Sequence, residues 1–297
     1  MKIDVSIIIV SYNTKDLTLE CINSIIRTVK KSSYEIIVLD NNSEDGSVEQ
    51  IEELKTQNLK LIANKENYGF SKANNIGVKQ SSGRYVLFLN SDTVVYEKTI
   101  DGMVEFMDNN PEAGSSTCFL RLPNGKIDDA SHRGFPTPFR ALSYFAGLSK
   151  LFLFEPFSGY SLGHLKLDQT HEIDALAGAF MLVRREAGEQ VGWWDEDFFW
   201  YGEDLDFCYR LKEKGWKIFF VPEFEILHYK GASGGLKKHS KHLTSANGET
   251  KKRAHEARFN AMKIFYDKHY KNKYPAVVRG VVLTGISFKK FISGIKI

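Results

Sequence analysis

The chain has 297 residues, of which 42% are hydrophobic and 26% charged, a globular composition that excludes a disordered chain or a fibre. The length suffices for one large α/β domain with an appendage, or for two domains. The formal net charge of +3 is too small to indicate a nucleic-acid-binding protein, so we expect no nucleic-acid partner.

The cysteines and the N-terminus indicate a cytoplasmic protein. Cys21, Cys118 and Cys208 are far apart and lack metal-ligand spacing, which predicts buried thiols in a reducing compartment. The N-terminal apolar run is short, contains Asp4 and is followed by no small-residue cleavage site. We therefore predict a first strand here rather than a signal peptide.

Short apolar runs alternate with helical patterns in the first ninety residues. Apolar residues at three- and four-residue steps predict a helix after the first run, and a more polar helix precedes the fourth. The predicted strands are residues 5–10, 34–39, 59–63 and 85–89. This alternation predicts right-handed βαβ units and a mostly parallel sheet.

Polar side chains follow three of these strands: Ser11 and Asn13, Asp40 and Asn42, and Asn90 and Asp92. Open α/β sheets bind ligands at this edge, and an acidic residue ending the second strand suits a base or a ribose hydroxyl. The sequence lacks GxGxxG and P-loop motifs, so a bound nucleotide would need a metal for its phosphates. Asp92 is well placed to hold that metal. It could equally cap the next turn, and this stretch alone leaves both interpretations open.

The middle of the chain is less regular. Residues 97–109 form a helical pattern and residues 177–183 indicate a strand. Residues 120–170 between them are irregular, with an aromatic stretch at 139–157. That stretch could line an acceptor site, contact a membrane or cover the core.

Residues 193–207, WWDEDFFWYGEDLDF, are dense in carboxylates and aromatic rings. A helical pattern from Gly202 to Gly215 places Asp204 in the first turn, where the helix dipole stabilises a carboxylate. Aromatic walls would also hold Asp204 rigidly, as a general base requires. His228 follows a strand predicted at 216–221 and a short apolar piece, and precedes a basic Gly/Ser-rich loop at 230–235 that suits phosphates. It is either a structural histidine or a partner of Asp92 on a manganese-type ion.

Several segments together resemble family 2 glycosyltransferases, most closely the branch that includes bacterial rhamnosyltransferases. They are VSIIIVSYNTKDLTLECINSI, NYGFSKANNIG, LFLNSDT, GAFMLVRREAGEQVGWWDEDFFWYGEDLDFCYRLKEKGW and the histidine of ILH. The resemblance covers about residues 3 to 235. It implies a GT-A fold, one α/β domain with a mixed central sheet over residues 1–235, which a basic helical extension follows over 236–297.

The resemblance also implies roles for the matching residues. Asn90-Ser91-Asp92 stands where the family has an Asp-x-Asp motif, and Asn90 replaces the first aspartate. Asp92 and His228 are then the expected ligands of Mn²⁺ or Mg²⁺. Glu203 and Asp204 match the family's Glu-Asp pair, with Asp204 as the catalytic base. The expected nucleotide-contacting residues are Ser11, Asn13, Asp40, Asn67, Lys72 and Ser91.

These parts imply an inverting glycosyltransferase of cell-surface polysaccharide synthesis. It would move a sugar from a nucleoside-diphosphate sugar to a glycan or a lipid-linked saccharide. The rhamnosyltransferase resemblance favours dTDP-rhamnose, although UDP- and GDP-sugars fit the same architecture. A sugar-nucleotide nucleotidyltransferase is an alternative, but residues 11–16 lack its Gly-rich basic loop. A non-catalytic sugar-nucleotide binder, the other alternative, would not need Asp204.

The C-terminal segment is basic, since no acidic residue follows Asp267. Residues 251–270 predict a helix, and residues 276–297 mix aliphatics, phenylalanines and lysines. Too few apolar residues lie between Arg279 and Lys289 for a membrane span of about 20 residues. The mixture suits an interfacial helix on an anionic leaflet, or equally a helix packed on the protein body. We expect peripheral contact with the inner face of the plasma membrane, and the dispersed aromatic surface permits a homodimer.

Overall fold

The computed structural model describes residues 2–231 and 248–294. Within these ranges nine strands form a single sheet. They are β1 (Val5–Ser11), β2 (Tyr34–Asp40), β3 (Leu59–Ala63), β4 (Tyr85–Asn90), β5 (Thr93–Val95), β6 (Ala113–Arg121), β7 (His171–Glu172), β8 (Phe180–Arg184) and β9 (Lys217–His228). The four strands predicted in the first ninety residues are confirmed, each to within one residue.

Helices cover both faces of the sheet. They are α1 (Lys15–Thr28), α2 (Ser47–Glu52), α3 (Gly69–Lys79), α4 (Thr99–Asn109), α5 (Pro138–Phe145), α6 (Leu148–Leu151), α7 (Arg185–Val191), α8 (Glu203–Glu213), α9 (Gly248–His269) and α10 (Ala276–Gly294). Neighbouring residues of a strand point to opposite faces. Ile7 of β1 therefore packs in one core with Ile22 of α1, while Ile8 packs in the other with Phe207 of α8. Two buried faces explain why β1, β2 and β4 are continuous apolar runs.

The sheet is mixed, which confirms the fold expected from the resemblance. The strand order is β3-β2-β1-β4-β8-β6-β9-β5, with β7 beside β9. The pairs β1–β2, β1–β4 and β2–β3 are parallel, as the alternating pattern predicts. However, β8 runs antiparallel to both β4 and β6. Strand–helix alternation alone therefore overstated the parallel share, because it sets the direction only of strands that a crossover helix joins.

The second half of the chain completes the sheet. The pieces predicted at 216–221 and 226–228 form one long strand, β9, which pairs with β6 and then with β5. The irregular segment between β6 and β8 contains a 3-10 turn (Asp129–Ser131) and the short helices α5 and α6. Of the loop predicted at 230–235, Lys230 and Gly231 are described, and Ala232 to Gly235 lie outside the described residues.

Of the two C-terminal helices, α9 packs against α8 of the sheet domain. Buried Asp206 of α8 accepts a hydrogen bond from His269 Nε2 of α9 at 2.7 Å. Helix α10 contacts α9 and has no buried residue. The domain boundary at residue 235 remains a prediction, because residues 232–247 lie outside the described ranges. In the described part of the chain, no helix is long and apolar enough to cross a membrane.

All three cysteines are free and buried, as predicted. Burial raises the pKa of the Cys21 thiol to about 12, so this side chain is an inert apolar packing group.

Candidate active site

A cleft of about 230 Å³ opens at the carboxyl ends of β1 and β4. Parallel pairing places Val10 beside Asn90 and Ser11 beside Asp40, so the polar ends of the three strands meet at one edge. Six of the site residues predicted from the sequence line this cleft: Asn67, Ser91, Asp92, Glu203, Asp204 and His228.

Asp92 and His228 come together through strand pairing. Asp92 lies in the tight turn between β4 and β5, and antiparallel pairing then sets Thr93 opposite His228 at the end of β9. A hydrogen bond of 2.9 Å from the Tyr229 N–H to the Asp92 carbonyl extends this pairing. His228 Nε2 consequently lies 3.3 Å from Asp92 Oδ1, and both side chains are buried.

A third carboxylate, Asp128, completes this group. It precedes the 3-10 turn, is 1% exposed, and its Oδ2 accepts a hydrogen bond from His228 Nδ1 at 2.9 Å. Its Oδ1 pairs with Lys230. Burial raises the pKa of Asp128, but His228 and Lys230 outweigh burial and hold that pKa well below its usual range. The sequence did not single out Asp128, because it lies in a segment without periodicity. Lys230 belongs to the predicted basic loop, but its pairing with Asp128 was not expected.

The arrangement fits a divalent metal. Among the described residues, the buried His228 Nε2 makes no well-aligned hydrogen bond and lies 3.3 Å from Asp92 Oδ1, while Nδ1 is held by Asp128. A carboxylate on one imidazole nitrogen fixes the tautomer that presents the other nitrogen to a metal. In the described residues no group of three or more His, Cys, Asp or Glu side chains could hold a metal by itself. The protein would thus supply two ligands, and phosphate oxygens and water would supply the others.

The carboxylates around His228 raise the pKa of its imidazole. Burial lowers the pKa of the imidazole, but the carboxylates of Asp92 and Asp128 outweigh burial and raise it to about 9. A metal that binds Nε2 must displace a proton below that pH.

Asp204 lies at the cleft in the first turn of α8. That helix begins after Gly202, whose φ of 83° is a left-handed conformation that glycine adopts without strain. Asp204 Oδ2 accepts a hydrogen bond of 2.7 Å from Arg133 Nη2, and the two side chains are only 14% and 12% exposed. Arg133 in turn is held by backbone hydrogen bonds to Ala175 and donates to the Leu176 carbonyl. The arginine fixes the direction of the carboxylate, and sequence reasoning missed it.

Glu203, beside Asp204, is buried, and its hydrogen bonding and its pKa differ from those of an ion-paired carboxylate. Its Oε2 has no hydrogen-bond partner in the part of the chain that the structure describes. Burial, reinforced by the negative charge of Asp204, raises the pKa of Glu203 to about 8. The Glu-Asp pair therefore combines a carboxyl group that burial shifts toward its uncharged form with one that is ion-paired to Arg133.

The other four predicted nucleotide-binding residues lie beside the cleft rather than in its lining. The Ser11 hydroxyl is 2.9 Å from the Thr18 hydroxyl inside the protein. Asn13 Oδ1 accepts a hydrogen bond from the Glu44 N–H, and buried Asp40 accepts one from Ser43. Lys72 Nζ stands 4.1 Å above the ring of Tyr68. Their role in nucleotide binding stays a prediction.

An aromatic loop forms the opposite wall. The rings of Trp200 and Tyr201 stack in parallel, 5.4 Å apart, and both line the cleft. The start of α3 docks on this loop, since a Cβ on Gly69 would lie 2.6 Å from the Phe199 carbonyl oxygen. The glycine in NYGF is thus explained by a close backbone approach at its φ of +78°.

The sequence matches the family model of glycosyl transferase family 2 over residues 6–187. The rhamnosyltransferase WbbL of Escherichia coli (strain K12) is 30% identical, over 54% of this chain and 61% of WbbL. The poly-beta-1,6-N-acetyl-D-glucosamine synthase of Staphylococcus aureus (strain MSSA476) is 26% identical, over 73% of this chain and 48% of the synthase. The N-acetylglucosaminyl-diphospho-decaprenol L-rhamnosyltransferase of Mycobacterium tuberculosis (strain CDC 1551 / Oshkosh) is 29% identical, over 67% of this chain and 68% of that enzyme. The chain thus spans between about half and two thirds of the length of these relatives.

Solved structures share the fold at low sequence identity. S. aureus TarS 1-349 in complex with UDP-GlcNAc aligns with a TM-score of 0.59 and 17% identity, over 98% of this chain and 73% of TarS. GalNAc-T7 with UDP, GalNAc and Mn²⁺ aligns with a TM-score of 0.58 and 17% identity, over 91% of this chain and 58% of GalNAc-T7. These likenesses confirm the GT-A fold.

Proposed function

Because the chain belongs to glycosyl transferase family 2, we propose that it is an inverting glycosyltransferase of cell-surface polysaccharide synthesis. It transfers a sugar from a nucleoside-diphosphate sugar to a hydroxyl group of a glycan or a lipid-linked saccharide. The observation that carries this proposal is the single cleft that Asp92, His228 and Asp204 share.

We assign the diphosphate end of the donor to Asp92 and His228. A divalent cation held by these two side chains, Mn²⁺ or Mg²⁺, would supply a Lewis acid that neutralises charge on the departing nucleotide. The fit of the buried Nε2 to this role supports the assignment. Asn67 and Ser91, which line the same cleft, are placed to contact the nucleotide.

We assign the proton transfer to Asp204. Its carboxylate, oriented by Arg133, accepts the proton of the acceptor hydroxyl as that oxygen attacks the anomeric carbon. One displacement inverts the anomeric configuration, so no second carboxylate is needed as a nucleophile, unlike in a retaining hydrolase. Burial shifts Glu203 toward its uncharged form, which reduces its repulsion of Asp204 in the shared site.

The relatives support two kinds of donor. Two of them are rhamnosyltransferases, which favours dTDP-rhamnose. A poly-N-acetylglucosamine synthase and the TarS complex with UDP-GlcNAc favour a UDP-sugar instead. We retain dTDP-rhamnose as the expected donor, and we place the protein at the inner face of the plasma membrane as a peripheral protein that can form a homodimer.

Calorimetric titration with UDP, dTDP and GDP, each with and without Mg²⁺ or Mn²⁺, tests the donor site. We expect metal-dependent binding of one nucleotide in preference to the other two. Asp92→Ala and His228→Ala should each weaken that binding, since each removes a ligand. Wild-type affinity in both variants would refute the shared metal site, and no nucleotide binding by folded wild-type protein would refute the transferase.

Asp204→Asn tests the base assignment. This variant should bind the nucleotide with wild-type affinity while transfer falls by about 100- to 10,000-fold, because an amide cannot accept the proton. Product analysis by mass spectrometry measures the transfer. Unchanged transfer would show that another group is the base.

A further inference from the structure

Helix α10 turns an apolar stripe away from the protein. Val277, Val281, Phe288 and Phe291 are 78%, 66%, 65% and 69% exposed and lie on one side of the helix, where Thr284 is the polar residue between Val281 and Phe288. Val282, outside this stripe, packs against the aromatic core between α8 and α9. A helix on a globular protein normally turns its apolar face inward. In α10 the outward side is also apolar.

A second apolar surface lies on the segment that carries α5 and α6. Leu142, Leu151, Leu153 and Phe154 are each more than half exposed. Scattered exposed hydrophobic residues are ordinary, but a cluster of large ones marks an interaction surface.

The two surfaces meet at the C-terminal half of α10. Lys289 Nζ lies 3.1 Å from the centre of the Phe145 ring at the end of α5. The Ser293 hydroxyl is 2.8 Å from His255 Nε2 of α9, which holds this end of α10 in place. We call the combined surface the apolar face. Its members are Leu142, Phe145, Leu151, Phe152, Leu153, Phe154, Val277, Val281, Phe288 and Phe291.

The charge beside the apolar face is positive. After Asp267 the chain has seven lysines and arginines and no acidic residue. Lys268 and Lys273 are ion-paired with carboxylates of the protein body. The charge beside the apolar face therefore comes from Lys289 and Lys290, which lie between Phe288 and Phe291 in α10. Arg279 pairs with Asp267, whereas Lys290 has no ion pair among the described residues. Aliphatic and phenylalanine side chains with flanking lysines are the composition of helices that lie in the interface of an anionic bilayer.

We propose that the apolar face docks the protein on an anionic lipid bilayer, with α10 and the α5–α6 segment lying together in the interface. Beyond the peripheral location given above, this assigns the α5–α6 segment as a second membrane contact and anionic lipids as the binding partner. The docking does not depend on the transferase chemistry.

A chain of contacts connects the apolar face to the proposed base. Tyr144 of α5 packs edge-on against Tyr160 at 4.9 Å, and the Tyr160 carbonyl accepts a hydrogen bond from the Gly134 N–H at 3.0 Å. Gly134 follows Arg133, which holds Asp204. The segment that carries part of the apolar face therefore also supplies the arginine that orients the proposed base.

Co-sedimentation of the full chain with vesicles tests the docking. We expect binding to vesicles of equimolar phosphatidylcholine and phosphatidylglycerol, little binding to phosphatidylcholine alone, and release by salt. The double variant Phe288→Ser/Phe291→Ser should lower the partition coefficient by about tenfold or more, as should Leu151→Ser/Phe154→Ser. These side chains are exposed, so the variants should keep the wild-type circular dichroism.

A matched pair of charge reversals separates docking from non-specific attraction. Lys290→Glu should weaken vesicle binding several-fold, whereas Lys79→Glu, the same charge change at the exposed end of α3, should leave it nearly unchanged. Equal binding by both double variants and the wild type would overturn the proposal, as would equal binding to neutral and anionic vesicles.

The main rival occupant of the apolar face is a second copy of this chain. If sedimentation velocity shows a dimer that Phe288→Ser/Phe291→Ser dissociates, and the wild type does not bind vesicles, the face is a protein interface and the proposal is wrong. Asp204→Asn should bind vesicles as the wild type does. A failure of the transferase assignment therefore leaves this test intact.

Discussion

Asp128→Asn removes one negative charge beside the proposed metal site and changes the side-chain volume little. In the wild type, the Asp128 carboxylate accepts the hydrogen bond of His228 Nδ1 and pairs with Lys230, at 1% exposure. The asparagine oxygen can still accept one hydrogen bond, but it cannot balance the charge of Lys230. We expect the imidazole to be held less firmly and metal-dependent nucleotide binding to weaken.

Two opposing effects set the size of this change. Loss of a carboxylate that orients a ligating histidine costs about 10- to 100-fold in metal affinity. The opposing effect is competition between the metal and a proton for His228. Asp92 and Asp128 outweigh burial and raise the pKa of His228 to about 9, so this competition lowers the metal affinity of the wild type at pH 7 by about 100-fold. The substitution removes one of those two carboxylates and relieves part of the competition. The loss in Asp128→Asn should therefore be largest near pH 9 and smaller at pH 7.

Calorimetric titration of the preferred nucleotide with Mg²⁺ at about pH 7, 8 and 9 measures both effects. These values lie above the phosphate pKa of about 6, so the charge on the nucleotide stays constant. The wild-type affinity should rise by about tenfold per pH unit as His228 loses its proton. Asp129→Asn, the same change at the exposed neighbouring residue, should behave as the wild type. Wild-type affinity of Asp128→Asn at pH 9 would refute the reasoning.

Two further substitutions test the Glu-Asp pair. Arg133→Met leaves Asp204 without its buried counter-charge, so we expect lower turnover, an unchanged nucleotide Kd and a loss of about 3 kcal/mol of stability. Arg133→Lys should recover part of the turnover. Wild-type turnover in Arg133→Met would contradict the orienting role of Arg133. Because burial and Asp204 raise the pKa of Glu203 from 4.5 to about 8, its ionisation should cost the wild type stability as the pH rises between those values. Glu203→Gln should therefore match the wild type near pH 4.5 and become the more stable of the two as the pH rises, with the largest difference above pH 8 in thermal unfolding. Exposed Glu189→Gln should show no such trend.

The first four strands were predictable from the sequence because each is buried on both faces. A continuous apolar, β-branched run bounded by polar residues has few other ways to bury its side chains. The parallel pairing of β1, β2, β3 and β4 followed from the helices between them. The antiparallel β8 did not follow, because it is reached through a long segment whose apolar residues show no period.

Some residues of the candidate site were predictable from the sequence and others were not. Asp92, Asp204 and His228 were identifiable because each stands beside a strand end or helix start within a recognisable motif. Asp128 and Arg133 were not, because a single charged residue in an irregular segment gives no local sign of what it will contact.

The sequence by itself therefore determined the element types, the polar edge of the sheet and the residue types available for chemistry, since these depend on local periodicity and turn chemistry. Only the tertiary structure decided which of those residues meet. The pairing of β5 with β9 brings His228 within 3.3 Å of Asp92, across more than a hundred residues of chain, and the β6–β8 segment supplies the partners of His228 and Asp204. Such contacts depend on the summed packing of the whole sheet, which no local stretch of sequence encodes.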